Sequence, residues 1–327
     1  MNFLIIGLGS MGKRRIRCLQ HLGIKLITGF DLRADRREEA SAMYGIQTIC
    51  SIENDDIGKY DAIIVSTPPD KHTEYVKMAI ENKKPVFIEA SVILEDVKEI
   101  RSFNTNQTLV APSCTLRFHP VIKDITSIIK SGKYGKITNF SYHSGQYLPD
   151  WHPWENVHDF YVSNRATGGG REIVPFELTW MVDTFGWPVS AKGYFKQTID
   201  FGAKIEDSYA LVLNYGNAIG SLVVDVASRY AVRNLIVNLE EAQIQWRWDE
   251  GFFKLFDVRN QRWIKFEQPE ITAATGYNKN IGEGMYIAEI RSFIDGFTGK
   301  SSYPNSIDDD IRVIEILNEV ENSDGGF

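Results

Sequence analysis

Phe3-Leu4-Ile5-Ile6-Gly7-Leu8-Gly9-Ser10-Met11-Gly12 opens the chain, and Asp31 follows at the end of the next apolar run. Phe3 to Ile6 has the unbroken apolar character of a strand covered on both faces. Gly7 permits the tight turn out of that strand. Gly9 lacks the side chain that would keep a pyrophosphate off the backbone, and Gly12 lets the next helix approach the sheet. Ser10 and Met11 fall in the first turn of that helix, whose N–H groups and positive dipole end attract phosphate. Ile24 to Phe30 reads as a second strand, and Asp31 sits at its carboxyl end, where a carboxylate meets ribose hydroxyls. Strand, glycines, helix and acid in this order predict a dinucleotide site.

The rest of the chain sets bounds on that reading. Its 327 residues suggest two domains, and 43% hydrophobic with 24% charged residues is ordinary for a globular protein. A net charge of −7 argues against a nucleic-acid partner. Cys18, Cys50 and Cys114 are scattered without metal spacing, so no metal is expected and free thiols in a reducing cytoplasm are. The first strand begins at residue 3, so a cleaved leader is not expected. No apolar run suggests a membrane span.

Strands and helices alternate through the first third. Residues 34–44, 72–82 and 94–103 read as helices, and residues 61–67, 85–89 and 107–112 as strands. This pattern predicts an α/β fold whose first domain, residues 1–115, is a Rossmann-type doubly wound parallel sheet. Ligands of such sheets bind beyond the carboxyl ends of the strands, which here carry Gly7 to Gly12, Asp31, Thr67, Pro68 and Glu89. His72 begins the helix after Pro68. Residues 116–327 form the expected second domain, also α/β, with an open and mainly antiparallel sheet. Residues 120–131 read as a helix, Ala191 to Phe266 is strand-rich, and residues 285–297 and 306–321 close the chain as helices. The last of these is expected to pack back on the first domain. Gly216-Asn217 marks a hairpin. Trp246, Trp248, Phe252, Phe253, Phe256 and Trp263 either line an open, oligomer-forming face or pack beneath the helices.

These landmarks together resemble the glucose–fructose oxidoreductase, inositol dehydrogenase and MocA family (Gfo/Idh/MocA). The marks are the glycine motif, Asp61-Ala-Ile-Ile-Val-Ser-Thr-Pro-Pro-Asp-Lys-His72, Arg117-Phe118-His119-Pro120 and Ser131-Gly132-Lys133-Tyr134-Gly135-Lys136-Ile137. Gly168-Gly169-Gly170 and the helix around Tyr286 to Phe293 complete them. The resemblance implies a nicotinamide-dependent oxidoreductase acting on a sugar, cyclitol or nucleotide-sugar carbinol, assembled as a homodimer or homotetramer through the second sheet. It also implies a Glu-Lys-Pro segment whose lysine takes part in proton transfer. Here that segment is Glu89-Ala90-Ser91, and alanine transfers no proton. The family histidine that follows the glycine triplet aligns with Phe176, and its flanking acids with Glu172 and Thr179. A shift of one residue would instead bring Glu177 to the histidine position.

Proton handling must then come from elsewhere. Residues 142–161 hold three of the six histidines. His152 and His158 are the candidates there, with Glu172 beside them as a general base, because histidines and tuned carboxyls exchange protons near neutrality. His143 is less favoured because it falls in a strand. Tyr142, Tyr147, Trp151 and Trp154 offer aromatic faces to a sugar, and Arg171 is a further substrate-binding candidate. Arg171 is also a candidate structural partner for Glu172. Lys204, Arg229 and Arg233 either meet an anionic substrate or are solvated.

Asp31 favours NAD over NADP, because its carboxylate repels a 2′-phosphate, while Arg33, Arg36 and Arg37 leave NADP as the alternative. Two other functions stay open: a catalytically degenerate nucleotide-binding regulator, and a lyase or epimerase that uses bound NAD transiently.

Overall fold

The computed structural model describes residues 1–52, 57–103, 108–151, 156–159, 161–269 and 282–323. The chain divides into two compact units, residues 1–115 with 285–312, and residues 116–284 with 313–327.

The first unit is built on a parallel sheet of order β3-β2-β1-β4-β5-β6. Its strands are β1 (Asn2–Ile6), β2 (Leu26–Phe30), β3 (Gln47–Ile49), β4 (Ala62–Val65), β5 (Val86–Ile88) and β6 (Val110–Pro112). Helices α1 (Ser10–His21), α2 (Ala34–Tyr44), α3 (His72–Glu81) and α4 (Leu94–Ser102) alternate with them. Phe3 to Ile6 and Ala62 to Val65 are fully buried, as strands covered on both faces must be. The strand order reverses between β1 and β4, which opens the crevice at their carboxyl ends where such sheets take ligands. Helix α7 (Glu283–Phe297) adds Phe293 against Phe87 and Phe297 against Phe3.

The second unit carries a sheet of order β14-β13-β12-β11-β7-β10-β9-β8. Helix α5 (Pro120–Lys130) precedes β7 (Ile137–Gly145), and α6 (Gly170–Phe185) precedes β8 (Ser190–Lys196). Then come β9 (Ser208–Asn214), β10 (Ile219–Asp225), β11 (Val232–Leu239), β12 (Ala242–Arg247), β13 (Phe252–Asp257) and β14 (Arg262–Glu267), and α8 (Ile307–Ser323) ends the described chain. All pairings are antiparallel except β7 with β10. The hairpin at Gly216-Asn217 joins β9 to β10.

Period-two alternation separates the two faces of this sheet. Phe140, Tyr142, Leu235, Trp246 and Phe253 are buried on one face. Val212, Ile219 and Trp263 stand exposed on the other, so the aromatic run is divided between both. The outer face also carries an amide ladder. Asn238 donates to Asn139, Gln243 to Asn238, and Gln245 to Gln243.

Candidate functional site

In the first unit the turn after β1 is shaped by missing side chains. Gly7 has a φ of +92°, and a Cβ there would stand 2.6 Å from the Ser66 carbonyl oxygen. A Cβ on Gly12 would strike the Gly7 carbonyl. At Gly9 a Cβ would find only the Arg36 guanidinium, at 3.5 Å. The start of α1 has no side-chain cap and no acid in its first turn, so nothing there competes with an anion.

Asp31, just past β2, is largely buried. Its Oδ2 accepts the Leu8 N–H at 2.8 Å and its Oδ1 accepts the Arg33 N–H at 2.9 Å. These bonds tie the carboxylate to the glycine turn, and Arg36 lies 3.8 Å from it. Of the side chains expected at a dinucleotide, the turn with Ser10 and Met11, Asp31, Thr67 and Pro68 lie at or just beyond the carboxyl ends of β1, β2 and β4.

His72 and Glu89 have other duties. The His72 ring is buried between the Thr67 carbonyl, 3.0 Å from Nε2, and the Ser91 hydroxyl, 3.2 Å from Nδ1. Burial pushes its pKa down to about 4, so it stays neutral and braces the loop. Glu89 receives Nε and Nη2 of the buried Arg15 at 2.6 and 2.8 Å, and the Ser66 hydroxyl at 3.2 Å. Both groups therefore brace the loops at the carboxyl ends of β4 and β5, beside the expected dinucleotide position.

The second unit separates the remaining candidates. Tyr142 faces the covered core. Its hydroxyl donates to Glu177 Oε2 at 3.1 Å and accepts from Arg233 Nη1 at 3.0 Å. Glu177 is fully buried and also receives Ser144, Trp180 and Arg233 at 2.7, 2.8 and 2.7 Å. Tyr142 thus serves this core, not a solvent-facing sugar platform, and Arg233 is not a solvated cation. Glu177 is equally committed, so a shifted alignment supplies no acid–base group there.

Arg171 pairs with Glu321 at 2.8 Å and donates to the Ala166 carbonyl at 2.8 Å, so its partner is not its neighbour Glu172 and its fork is not open to substrate. Tyr147 lies between Phe201, 5.8 Å away, and the Arg229 guanidinium, 3.9 Å above its ring. Trp151 and Tyr161 pack on a small apolar cluster of Leu148, Val157, Val162, Ala203, Ile205 and Val226. The exposed His158 rests its ring against Gly202. His152 and Trp154 lie outside the described residues. His143 pairs with Asp225 at 2.6 Å on the open face.

Glu172 stands apart from all of these. It lies in the first turn of α6, whose entry is set by the glycine triplet. A Cβ on Gly168 would strike the Val162 backbone. Gly169 has a φ of +65°, and the Gly170 N–H donates to the Glu206 carbonyl at 2.8 Å. This clamp holds Glu172 against Tyr161, whose hydroxyl donates to Oε1 at 2.6 Å. Oε2 is sealed from solvent and, among the described residues, has no hydrogen-bond partner. Burial raises the Glu172 pKa to about 7, and the Tyr161 hydrogen bond opposes that rise. Among the described residues no cluster of metal-ligating side chains occurs.

Residues 1–105 match the sequence profile described as the GFO_IDH_MocA oxidoreductase family, NAD-binding Rossmann fold. The first domain is thus similar to the NAD-binding domain of that family over about a third of the chain. The glycine turn and the carboxylate tied to it fit NAD: Gly7 to Gly12 would hold the pyrophosphate and Asp31 would meet the adenine-side ribose. The inositol 2-dehydrogenase of Klebsiella pneumoniae is 37% identical over 90 residues, 26% of this chain and 27% of that protein. The uncharacterized oxidoreductase YrbE of Bacillus subtilis is 30% identical over 142 residues, 40% of each chain. The matched stretch therefore spans about a quarter of the inositol dehydrogenase's length. The two-unit fold extends further. An Agrobacterium radiobacter oxidoreductase solved with NAD+, L-tartaric acid and magnesium superposes with a TM-score of 0.86, at 15% identity, over 100% of this chain and 96% of that one. Levoglucosan dehydrogenase in complex with NADH gives 0.85 at 16% identity over 99% and 97%. No described helix is long and apolar enough to cross a membrane.

Asp31→Ala is expected to weaken NAD binding by about tenfold or more, the worth of charge-assisted hydrogen bonds to two hydroxyls. Calorimetric titration of NAD+ into both proteins measures this, and equal affinities would remove Asp31 from the site.

Proposed function

We propose that this protein is an NAD-dependent oxidoreductase acting on a carbinol of a sugar or cyclitol, with Glu172 receiving or returning the hydroxyl proton. The observation that carries this reading is the Glu172 carboxyl itself. It is a sealed acid with a pKa near 7, held by one hydrogen bond, in a family whose usual lysine position is Ala90 here. Bound NAD supplies the hydride acceptor or donor. The chain's own part is to hold the dinucleotide on the glycine turn and Asp31, and to move one proton. As the carbinol carbon gives up hydride, its O–H bond breaks, the C=O bond forms, and the proton ends on Glu172. A pKa near the working pH suits a group that must both take and release it.

Similarity to an inositol 2-dehydrogenase supports a polyhydroxylated substrate. The free thiols of Cys18, Cys50 and Cys114 fit a reducing compartment. The exposed Val212, Ile219 and Trp263 on the outer sheet face fit contact with a second copy of the chain.

Glu172→Gln keeps the shape and removes the titration. Turnover of NAD+ with myo-inositol and levoglucosan as probe substrates is expected to fall by about 100- to 10,000-fold while NAD+ affinity is unchanged. Wild-type turnover in this variant would overturn the assignment.

A further inference from the structure

Glu172 cannot meet a ligand directly in the arrangement described. Its Oε1 is capped by the Tyr161 hydroxyl at 2.6 Å, and its Oε2 is sealed from solvent. Among the described residues, Tyr161 is the only hydrogen-bond partner of the carboxyl. Tyr161 is only half-buried, unlike the sealed carboxyl that its hydroxyl touches. The ring is braced on the cluster formed by Leu148, Val162 and Ile205, and its own carbonyl accepts the Asn164 N–H at 3.0 Å and the Thr167 hydroxyl at 3.2 Å. The glycine clamp then fixes this segment to the start of α6.

We propose that Tyr161 is a catalytic residue, the group that meets the substrate hydroxyl and relays its proton to Glu172. The inference rests on the oxidoreductase reading above. In the oxidising direction the substrate O–H proton passes to the Tyr161 oxygen as the phenol proton passes to Glu172 Oε1. The C–H electron pair leaves as hydride to NAD+, and the carbonyl forms. Tyr161 ends the step protonated and Glu172 ends it neutral. Return of the Glu172 proton through the same phenol to water resets the pair. A relay reconciles two features that conflict for a base acting alone: a pKa suited to proton exchange, and a carboxyl sealed from solvent behind a phenol.

The test separates relay from base. In the apoprotein below neutrality, the protonated Glu172 carbonyl gives an infrared band identified by its loss in Glu172→Gln. On mixing with D2O that band moves as the carboxyl exchanges. Tyr161→Phe is expected to slow this exchange at least about tenfold, and to raise the pH at which the band disappears, because the lost hydrogen bond stabilised the carboxylate. With NAD+ and the two probe substrates, Tyr161→Phe is expected to lose about 100-fold or more in kcat, and the double variant to lose no more than Glu172→Gln. NAD+ affinity and the thermal midpoint report intact folding. If Tyr161→Phe fails to fold, fluorotyrosine at position 161, with its more acidic phenol, takes its place and must speed the exchange. Unchanged exchange and turnover in Tyr161→Phe, with Glu172→Gln inactive, overturn the relay and leave Glu172 as the base. Full turnover in both variants overturns both readings. If the wild-type protein reduces NAD+ with neither probe, the oxidoreductase reading fails for those substrates, and the exchange measurement alone decides the relay.

Discussion

Arg15→Met is expected to destabilise the protein by about 3–5 kcal/mol at neutral pH, a large part of the 5–15 kcal/mol typical of a folded domain. Arg15 is fully buried in α1. Its Nε and Nη2 hold Glu89, its Nη1 holds Glu289 at 2.8 Å, and its guanidinium stacks 4.4 Å from the Phe87 ring. Methionine fills the volume but leaves two buried carboxylates facing each other without a cation. Glu289 keeps the Ser113 and Thr115 hydroxyls and the Cys114 N–H, at 3.1, 2.7 and 2.7 Å, which are too few to solvate both acids.

The sign of the pH dependence follows from the same contacts. Burial already raises the Glu289 pKa, and Arg15 pulls it back down. Without Arg15 the Glu289 carboxyl gains a folded-state pKa still further above its unfolded one. The variant then holds more protons folded than unfolded, so its stability persists at acidic pH and is lost as the pH rises through the folded values. The gap to wild type should therefore narrow on acidification. Urea denaturation at several pH values measures it. A gap of equal size throughout would show that packing, not charge, dominates at Arg15.

Glu177→Gln should cost about as much, 3–5 kcal/mol by chemical denaturation, for the opposite reason: it leaves the buried Arg233 cation without its counter-charge. Burial of Arg233 is already incomplete in its compensation, since among the described residues its Nε has no partner. The orphan nitrogens of His119 and Trp246 also lie in this core, where the two rings are 5.2 Å apart. Burial and the Arg233 charge push the His119 pKa down to about 3, so that ring cannot take over as a second cation. Removing both charges with Glu177→Leu and Arg233→Met should recover most of the loss, because two desolvation penalties vanish together. A double variant no more stable than the sum of its parts predicts would refute the ion-pair account.

The first unit was legible because each of its parts is local. An apolar run, glycines at fixed spacing and an acid at the next strand end are neighbours in the chain, and the turn they form needs no distant partner. The buried ion pairs of both units, by contrast, form at long range. Arg233 and Glu177 are 56 residues apart, and Arg15 and Glu289 are 274. No window of sequence contains either pair. Helix α6 was not legible because Pro175 interrupts its pattern, yet the helix continues past the proline, one backbone hydrogen bond short. The inward role of Tyr142 did have a signal: in a strand, Phe140, Tyr142 and Ser144 share one face and His143 takes the other. Arg233 likewise sits in register with Ala231, Leu235 and Val237, and a cation at such a position announces a buried acid. The importance of Tyr161 was not legible, because it depends on where a loop is pinned against the start of a helix.

That pinning has a consequence for how the protein can change over time. The clamp at Gly168 to Gly170 is made of absent side chains, so almost any substitution there wrecks it and none adjusts it. The aromatic positions around it, Tyr147, Trp151 and Phe201, carry no such restriction. Those side chains can therefore vary while the spacing between Tyr161 and Glu172 is inherited unaltered.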